Sequence, residues 1–138
     1  MTVENVEGFV TSTLAGDAYV QVHKRFMRAF EGDATLAVVL SELIGLYALQ
    51  KSKGMVDDLG QFPFPVKFME DQLGISEYKQ RNALKRLQAA NLLIFVVMGK
   101  PATRHVCLNF EAIARLVTEE ESARNATKDS KARFYRGI

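Results

Sequence analysis

The side chains between residues 73 and 87 are the part of this sequence best suited to chemistry. The segment reads LGISEYKQRNALKRL, with leucines on one side of a predicted helix and cationic, amide and phenol groups on the other. Such groups bind phosphate oxygens and base edges, and an α-helix fits the major groove of duplex DNA. The pattern predicts a DNA-contacting face, and its alternative is an ordinary solvated face over a core.

Nine side chains are predicted to contact DNA, seven on this helix and two on a hairpin that follows it. They are Glu77, Tyr78, Lys79, Arg81, Asn82, Lys85, Arg86, Lys100 and Arg104. The hairpin pair is expected to reach phosphates or the adjacent minor groove. Tyr78 has a second interpretation, in which its ring packs sideways against the preceding helix.

Metal binding and catalysis find no support in the sequence. His105 and Cys107 alternate within one predicted strand, but two ligands do not make a zinc site. A buried thiol and a partly exposed imidazole are expected there instead. The acidic groups at Asp57–Asp58 and Glu119–Glu121 have no neighbouring base or nucleophile, and no phosphate-binding loop is present. We therefore predict a protein that is not an enzyme and has no cofactor.

Composition places these residues in a small protein with an uneven charge. The 138 residues suggest one domain with an ordinary apolar content of 48%, and the lone Cys107 excludes an internal disulfide. Lys and Arg number 6 against 10 acidic residues in positions 1–75, and 12 against 6 in positions 76–138. A basic C-terminal half favours a nucleic-acid partner. No signal peptide is visible, so a cytoplasmic location is expected.

The helices can be predicted from periodicity and capping residues. Asp33 is expected to cap a long helix from Ala34 to about Ser52, and Gly54 is expected to end it. Because Glu42 interrupts the apolar run of this helix, we interpret the helix as buried and predict no membrane partner. A second, short helix starts at Pro65 and stops at Gly74. Ser76 caps the third helix, which is predicted to reach about residue 90.

The remaining segments are predicted as strands, a loop and a tail. Alternation suggests a strand or extended arm over Ala18–Met27, and Gly, Asp and Pro suggest a loop over Gly54–Pro65. Apolar runs at Leu93–Met98 and Thr103–Leu108 flank a turn and predict a β-hairpin. Asn109 is expected to cap a last helix with Ile113, Leu116 and Val117 on its inner face. Residues 119–138 form either a mobile basic tail or a fraying continuation of that helix.

The order of these elements predicts an α+β, mostly helical fold. A short helix, a tight turn at LGIS, an amphipathic helix and a hairpin make a winged helix-turn-helix, preceded here by a long core helix. We assign residues 1–118 to one domain, with the helix-turn-helix and wing at about residues 62–117.

The segment from about residue 60 to residue 117 resembles the winged-helix domains of bacteriophage and plasmid proteins, including the N-terminal domains of phage replisome organisers. The resemblance depends on LGIS, the spacing of Gln80, Leu84 and Leu87, the run Leu92-Leu93-Ile94, GKPA with Arg104, and Leu108-Asn109. It implies a double-stranded DNA partner. Replisome organisers usually carry a further helicase-loading domain, whereas only a short segment follows residue 118 here.

Three functions are consistent with these features. The first is a sequence-specific phage- or plasmid-type transcriptional regulator, and the second is a replication-origin or replisome accessory protein. The third is a winged-helix adaptor or inhibitor that binds a protein of the replication or transcription machinery. We also expect a homodimer, because one helix-turn-helix reads few base pairs, with an interface built from the Ala18–Met27 segment, the last helix or both.

Overall fold

The computed structural model describes residues 2–14 and 20–136, which form six helices and a three-stranded antiparallel sheet. The helices are α1 (Val3–Leu14), α2 (Lys24–Ala29), α3 (Ala34–Ser52), α4 (Val66–Leu73), α5 (Glu77–Ala89) and α6 (Phe110–Arg136). The strands are β1 (Gln61–Pro63), β2 (Leu93–Met98) and β3 (Thr103–Leu108), in the spatial order β1-β3-β2. The predicted mixed fold with a winged-helix-like layout is confirmed.

Helix α3 is the centre of the core. Asp33 caps it by accepting a hydrogen bond from the Leu36 amide at 3.2 Å, as predicted, and six of its side chains are buried. Each fully buried leucine of this helix stabilises the fold by about 1.5–3 kcal/mol. Among the described residues α3 is also the one helix long and apolar enough to cross a membrane. Its buried face packs against α5 and α2, as expected for a core helix.

The predicted N-terminal strand is wrong over Lys24–Met27, which lie in helix α2; Ala18 and Tyr19 lie outside the described residues. The His23 imidazole caps α2 by accepting from the Arg25 amide. Helical spacing then directs Phe26 into the core, with Phe30 packed beside it. Burial of these aromatic rings outweighs the short polar alternation that suggested a strand.

The predicted loop at Gly54–Pro65 contains a strand. Strand β1 pairs antiparallel with β3, matching Gln61 with Cys107 and Pro63 with His105. Phe62 and Phe64 are fully buried beside this pairing. A strand of three residues that ends at proline has too short an alternation to be recognised locally, and its partner lies about 40 residues later in the sequence.

The hairpin formed by β2 and β3 has the predicted bounds, and β2 is one of the two edge strands of the sheet. Its side chains are apolar, and those of Ile94, Val97 and Met98 are largely exposed. The outward amide of Phe95 donates to the Gln88 side-chain oxygen at 3.0 Å. Helix α5 therefore holds the open side of β2 near the start of the strand.

Helix α6 begins at the predicted cap, where the Asn109 side chain accepts from the Ala112 amide. It continues without a break past residue 118, so the segment predicted as a tail is a continuation of this helix over residues 119–136. Ile113 is buried, and Leu116 and Val117 are half-buried against the core. Near residue 120 the helix pairs with α2 through Arg28–Glu120 and Arg25–Glu121.

These contacts bear on the predicted dimer interface. The described part of the N-terminal segment folds onto α3 and α6, and the apolar stripe of α6 packs partly within the chain. Both surfaces therefore help to complete the core of a single chain, and the interface between protomers predicted there stays a prediction.

Candidate nucleic-acid interface

The turn between α4 and α5 sets the direction of α5 relative to α4. Gly74 ends α4 in the left-handed region with φ of 67°, a conformation that glycine adopts without steric cost. The Ser76 hydroxyl then caps α5 by accepting from the Lys79 amide at 3.3 Å. Ile75, in the turn, is half-buried against the core. The two predicted helices and the tight turn between them are therefore present in the structure.

Helix α5 has one buried and one exposed face. Gln80, Ala83, Leu84 and Leu87 are buried at positions three or four residues apart. The seven predicted side chains of this helix all lie on the exposed side: Glu77, Tyr78, Lys79, Arg81, Asn82, Lys85 and Arg86. The structure therefore brings together, on one accessible face, every α5 residue selected from the sequence.

Ion pairs divide the cations of this face into two groups. Arg81 pairs with Glu77 at 3.2 Å, and Arg86 pairs with Asp33 at 2.6 Å. Among the described side chains, no carboxylate lies within ion-pair distance of Lys79 or Lys85. These two ammonium groups remain available for an external anion.

Asp33 links this face to the start of α3. Its carboxylate accepts from the Arg86 guanidinium and from the Leu36 amide, and these bonds hold the pKa of Asp33 below its usual value. The carboxylate lies in a cleft that Lys79 and Asn82 also line. A negative charge therefore lies beside this predominantly basic face.

Tyr78 projects into solvent, with 77% of its surface exposed. Its ring does not pack sideways against α4, the second interpretation considered for this residue. An aromatic ring held at the first turn of α5 has both a stacking surface and a hydroxyl to present to a ligand.

The hairpin places one of its two predicted residues at its tip. Lys100 is exposed in the turn between β2 and β3, and the Thr103 hydroxyl supports that turn by donating to the Pro101 carbonyl at 3.2 Å. A cleft of about 250 Å³ separates the hairpin from α5, with apolar walls formed by Phe95, Val97 and Ala102. Lys100 and the α5 face thus lie on two arms that project from the same body.

Arg104 does not project from the hairpin, and its prediction as a phosphate contact is wrong. Its side chain is 8% exposed; Nε donates to the Phe64 carbonyl at 2.9 Å and Nη2 donates to Gln80 Oε1 at 2.7 Å. Burial lowers the pKa of Arg104 to about 10. These internal partners engage Nε and Nη2, and the low exposure of the side chain leaves little of it accessible to an external phosphate.

Gln80 is the site residue that sequence reasoning missed, although the signal was present. The apolar positions 83, 84 and 87 define the inner face of α5, and Gln80 lies on the same face at helical spacing. Arg104 likewise alternates with the buried side chains of Val106 and Leu108. A polar residue at an inward position is a candidate for a buried hydrogen-bond pair.

On strand β3, His105 and Cys107 lie on the face opposite Arg104, and both are half-buried. The Cys107 thiol is therefore less buried than predicted. Its Sγ donates to the Leu59 carbonyl at 3.3 Å, and His105 Nδ1 lies 3.0 Å from the Thr103 carbonyl. No group of three metal-binding side chains occurs within the described parts of the chain.

Comparison with known proteins adds a likeness of fold. A solved structure named "N-Terminal domain of DNA binding protein" superposes on this chain with a TM-score of 0.51 and 17% sequence identity. The match covers 88% of this chain and 95% of that one, so it includes elements outside the helix-turn-helix. No protein-family model and no curated protein sequence matches the chain. At this identity the likeness shows a shared fold.

Proposed function

We propose that this protein binds double-stranded DNA by inserting α5, as the recognition helix, into the major groove. The main observation behind the proposal is the exposed face of α5. On it Lys79 and Lys85 form no ion pair with a described carboxylate and Asn82 is exposed, while four buried side chains anchor the opposite face. The fold likeness to a domain of a DNA-binding protein supports the same reading. This role is non-enzymatic.

In this arrangement α5 and the hairpin tip make different kinds of contact with DNA. Lysine and asparagine side chains on the exposed turns of α5 are suited to guanine and adenine edges, respectively. Lys100 at the hairpin tip supplies a phosphate contact, which adds affinity without reading sequence. Arg86 is held by Asp33 and Arg81 by Glu77, so their charges are partly compensated until a phosphate competes for them.

The biological role that we propose is a phage- or plasmid-type transcriptional regulator acting as a homodimer in the cytoplasm. A two-fold dimer doubles the number of base pairs read, which a single recognition helix needs for useful specificity. A role at a replication origin is the second candidate, because the resemblance of residues 60–117 extends to replisome organisers. A regulator binds the DNA upstream of its own gene, whereas a replication protein binds repeats at an origin.

The deciding experiment measures binding of the full chain to the neighbouring intergenic duplex and to a scrambled duplex of equal length. Lys79→Ala and Asn82→Ala are expected to weaken specific binding by about 1–3 kcal/mol each, because each removes a base contact. Lys53→Ala is the charge-matched control for Lys79→Ala, since Lys53 follows the far end of α3, about 30 Å along the helix from Asp33.

Equal affinity of the two α5 variants and the wild type on a verified site would show that α5 is not the contacting element. An absence of salt-sensitive binding to any duplex would instead favour a winged-helix adaptor that contacts proteins.

A further inference from the structure

A single side chain on the buried face of α5 joins three separate parts of the fold. Gln80 Nε2 donates to the Ile75 carbonyl at 2.8 Å, in the turn, and to the Val66 carbonyl at 3.1 Å, at the start of α4. Gln80 Oε1 accepts from Arg104 in β3 at 2.7 Å. Both nitrogen-bound hydrogens and the oxygen of this fully buried amide are therefore used.

Arg104 provides the matching half of the contact. Its guanidinium lies 4.5 Å from the centre of the Phe64 ring and donates to the Phe64 carbonyl, so both its plane and its direction are fixed. Phe64 itself donates its amide to the Arg104 carbonyl at 2.8 Å. We refer to Gln80, Arg104 and Phe64, with these bonds, as the brace.

Arginine is a costly residue at the buried position 104. The two groups that accept hydrogen bonds from it, the Gln80 side-chain oxygen and the Phe64 carbonyl, carry no formal charge, so the cation is buried without a directly bonded carboxylate. Burying a charge in this way costs free energy that an apolar side chain of similar length would avoid. What arginine adds is a planar set of donors that reaches two oxygens in fixed directions.

The brace also has a counterpart on the other strand of the hairpin. Gln88, on the same helix, accepts from the Phe95 amide of β2 at 3.0 Å. Each strand of the hairpin is therefore hydrogen-bonded to α5 by a glutamine side chain. Gln88 holds β2 in the half of the strand nearer α5, and Gln80 holds β3 at its second residue, close to the turn that carries Lys100.

We propose that Gln80 and Arg104 are positioning residues that set the distance and angle between the recognition helix and the hairpin tip, so that α5 and Lys100 engage one duplex together. This inference rests on the proposed DNA binding. It assigns to Arg104 an indirect role in recognition through the placement of Lys100, with no contact of its own to DNA.

A double-mutant cycle between Arg104 and Lys100 tests the proposal. In the wild type, Lys100→Ala is expected to make the salt dependence of duplex binding shallower by about one unit, as loss of one phosphate contact does. In an Arg104→Met background the hairpin tip is no longer held, so Lys100→Ala is expected to change the slope by much less. Lys79→Ala is the control, since its effect depends on α5 and is expected to persist in both backgrounds.

Equal effects of Lys100→Ala with and without Arg104 would overturn the proposal, because they would show that the tip is placed independently. Arg104→Lys provides a second variant that keeps the charge but not the two-pronged geometry. If Arg104 acted only through its charge, the lysine variant would restore the Lys100 effect, and the positioning role would be rejected.

Amide hydrogen exchange on the free protein separates this inference from the proposed function. We expect Arg104→Met to accelerate exchange at the backbone amides of residues 96–103 while leaving α3 protected. Unchanged exchange in the hairpin would show that the brace does not hold the hairpin tip, even if the protein binds DNA. Accelerated exchange in a protein that binds no duplex would confirm the structural link, while the proposed function and the positioning role that rests on it would both fail.

Discussion

Lys100 and Arg104 show how differently two basic residues of one hairpin can be used. Both were predicted to contact phosphates, yet Lys100 is exposed in the turn and Arg104 is buried against Phe64. Residue type does not distinguish them, whereas their positions do: Lys100 lies in the turn, and Arg104 lies on the inward side of the two-residue period of β3. The carbonyl that accepts from Arg104 Nε belongs to Phe64, the residue directly after the short strand β1.

Asp33 gives a prediction at the scale of one residue. Its pKa is lowered in the folded protein by the Arg86 hydrogen bond and then by the Leu36 amide, so its ionised form favours folding. The corresponding stabilisation is present above its unfolded pKa of about 3.8 and is lost as the pH falls through the lower folded pKa. Asp33→Asn keeps a capping oxygen, so it is expected to flatten the pH dependence of the unfolding free energy in that acidic range.

The same substitution is expected to strengthen binding to DNA. It removes a negative charge beside the α5 face and releases Arg86 from its ion pair, so duplex affinity should rise and its salt dependence should steepen. Asp58→Asn makes the same change of charge in the exposed loop before β1 and is expected to leave affinity unaltered. Binding by Asp33→Asn no tighter than that of the control would show that DNA does not approach this end of α5.

At the scale of elements, those with strong local signals could be predicted and those defined by distant partners could not. The bounds of α3 and of both hairpin strands agree with the prediction, because capping residues and apolar periodicity lie within these segments. Helix α2 has only six residues and β1 only three, and both depend on distant partners. Helix α2 packs against α6 and the core, and β1 pairs with β3. The exposed face of α5 could be predicted for the same local reason.

The end of α2 offers a prediction about capping. Glu31 follows this helix with φ of 55°, and the amide of Gly32 donates back to the Met27 carbonyl at 2.8 Å. A residue with a β-carbon in this left-handed region costs about 1 kcal/mol relative to glycine. Glu31→Gly is therefore expected to raise the unfolding free energy by roughly 0.5 kcal/mol after the larger entropy of the unfolded glycine chain is subtracted.

Glu31→Ala is the matched control for that measurement. It removes the same side chain but keeps the strained backbone, so it should fall below the glycine variant in denaturant unfolding. A glycine variant no more stable than the alanine variant would mean that the strain at Glu31 is relieved by other means.

At the scale of the whole molecule, the described part of α1 presents an exposed apolar stripe suited to the proposed dimer. Val6, Phe9 and Val10 lie on one side of α1 at spacings of three and four residues, and each is at least 43% exposed. Because a two-fold axis brings the same stripe of each protomer together, α1 can pack against its own copy without a second complementary surface. We therefore expect the α1 stripe, in place of the two surfaces inferred from the sequence, to join the protomers.

Light scattering at micromolar concentration tests this arrangement. The wild type is expected at about twice the 15.4 kDa of one chain. Phe9→Glu is expected to give a single chain, because the partner stripe cannot accept a buried carboxylate. Thr11→Glu introduces the same charge on the opposite side of α1 and should remain a dimer. A wild-type mass of one chain, free and on DNA, would contradict the dimer.

The hydrogen bond between Gln88 and the amide of Phe95 also bears on solubility. The edge strand LIFVVM is uncharged, rich in β-branched residues and free of proline, which is the composition of segments that template amyloid-like stacking between molecules. Because the outward amide of Phe95 already donates to Gln88, it is not free to pair with a strand of another molecule. Gln88→Ala is expected to shorten the lag before turbidity develops at 37 °C, whereas Gln88→Glu keeps an acceptor, adds charge and is expected to lengthen it. Helix α5, the proposed recognition helix, would then also protect the edge strand β2 from fibril growth.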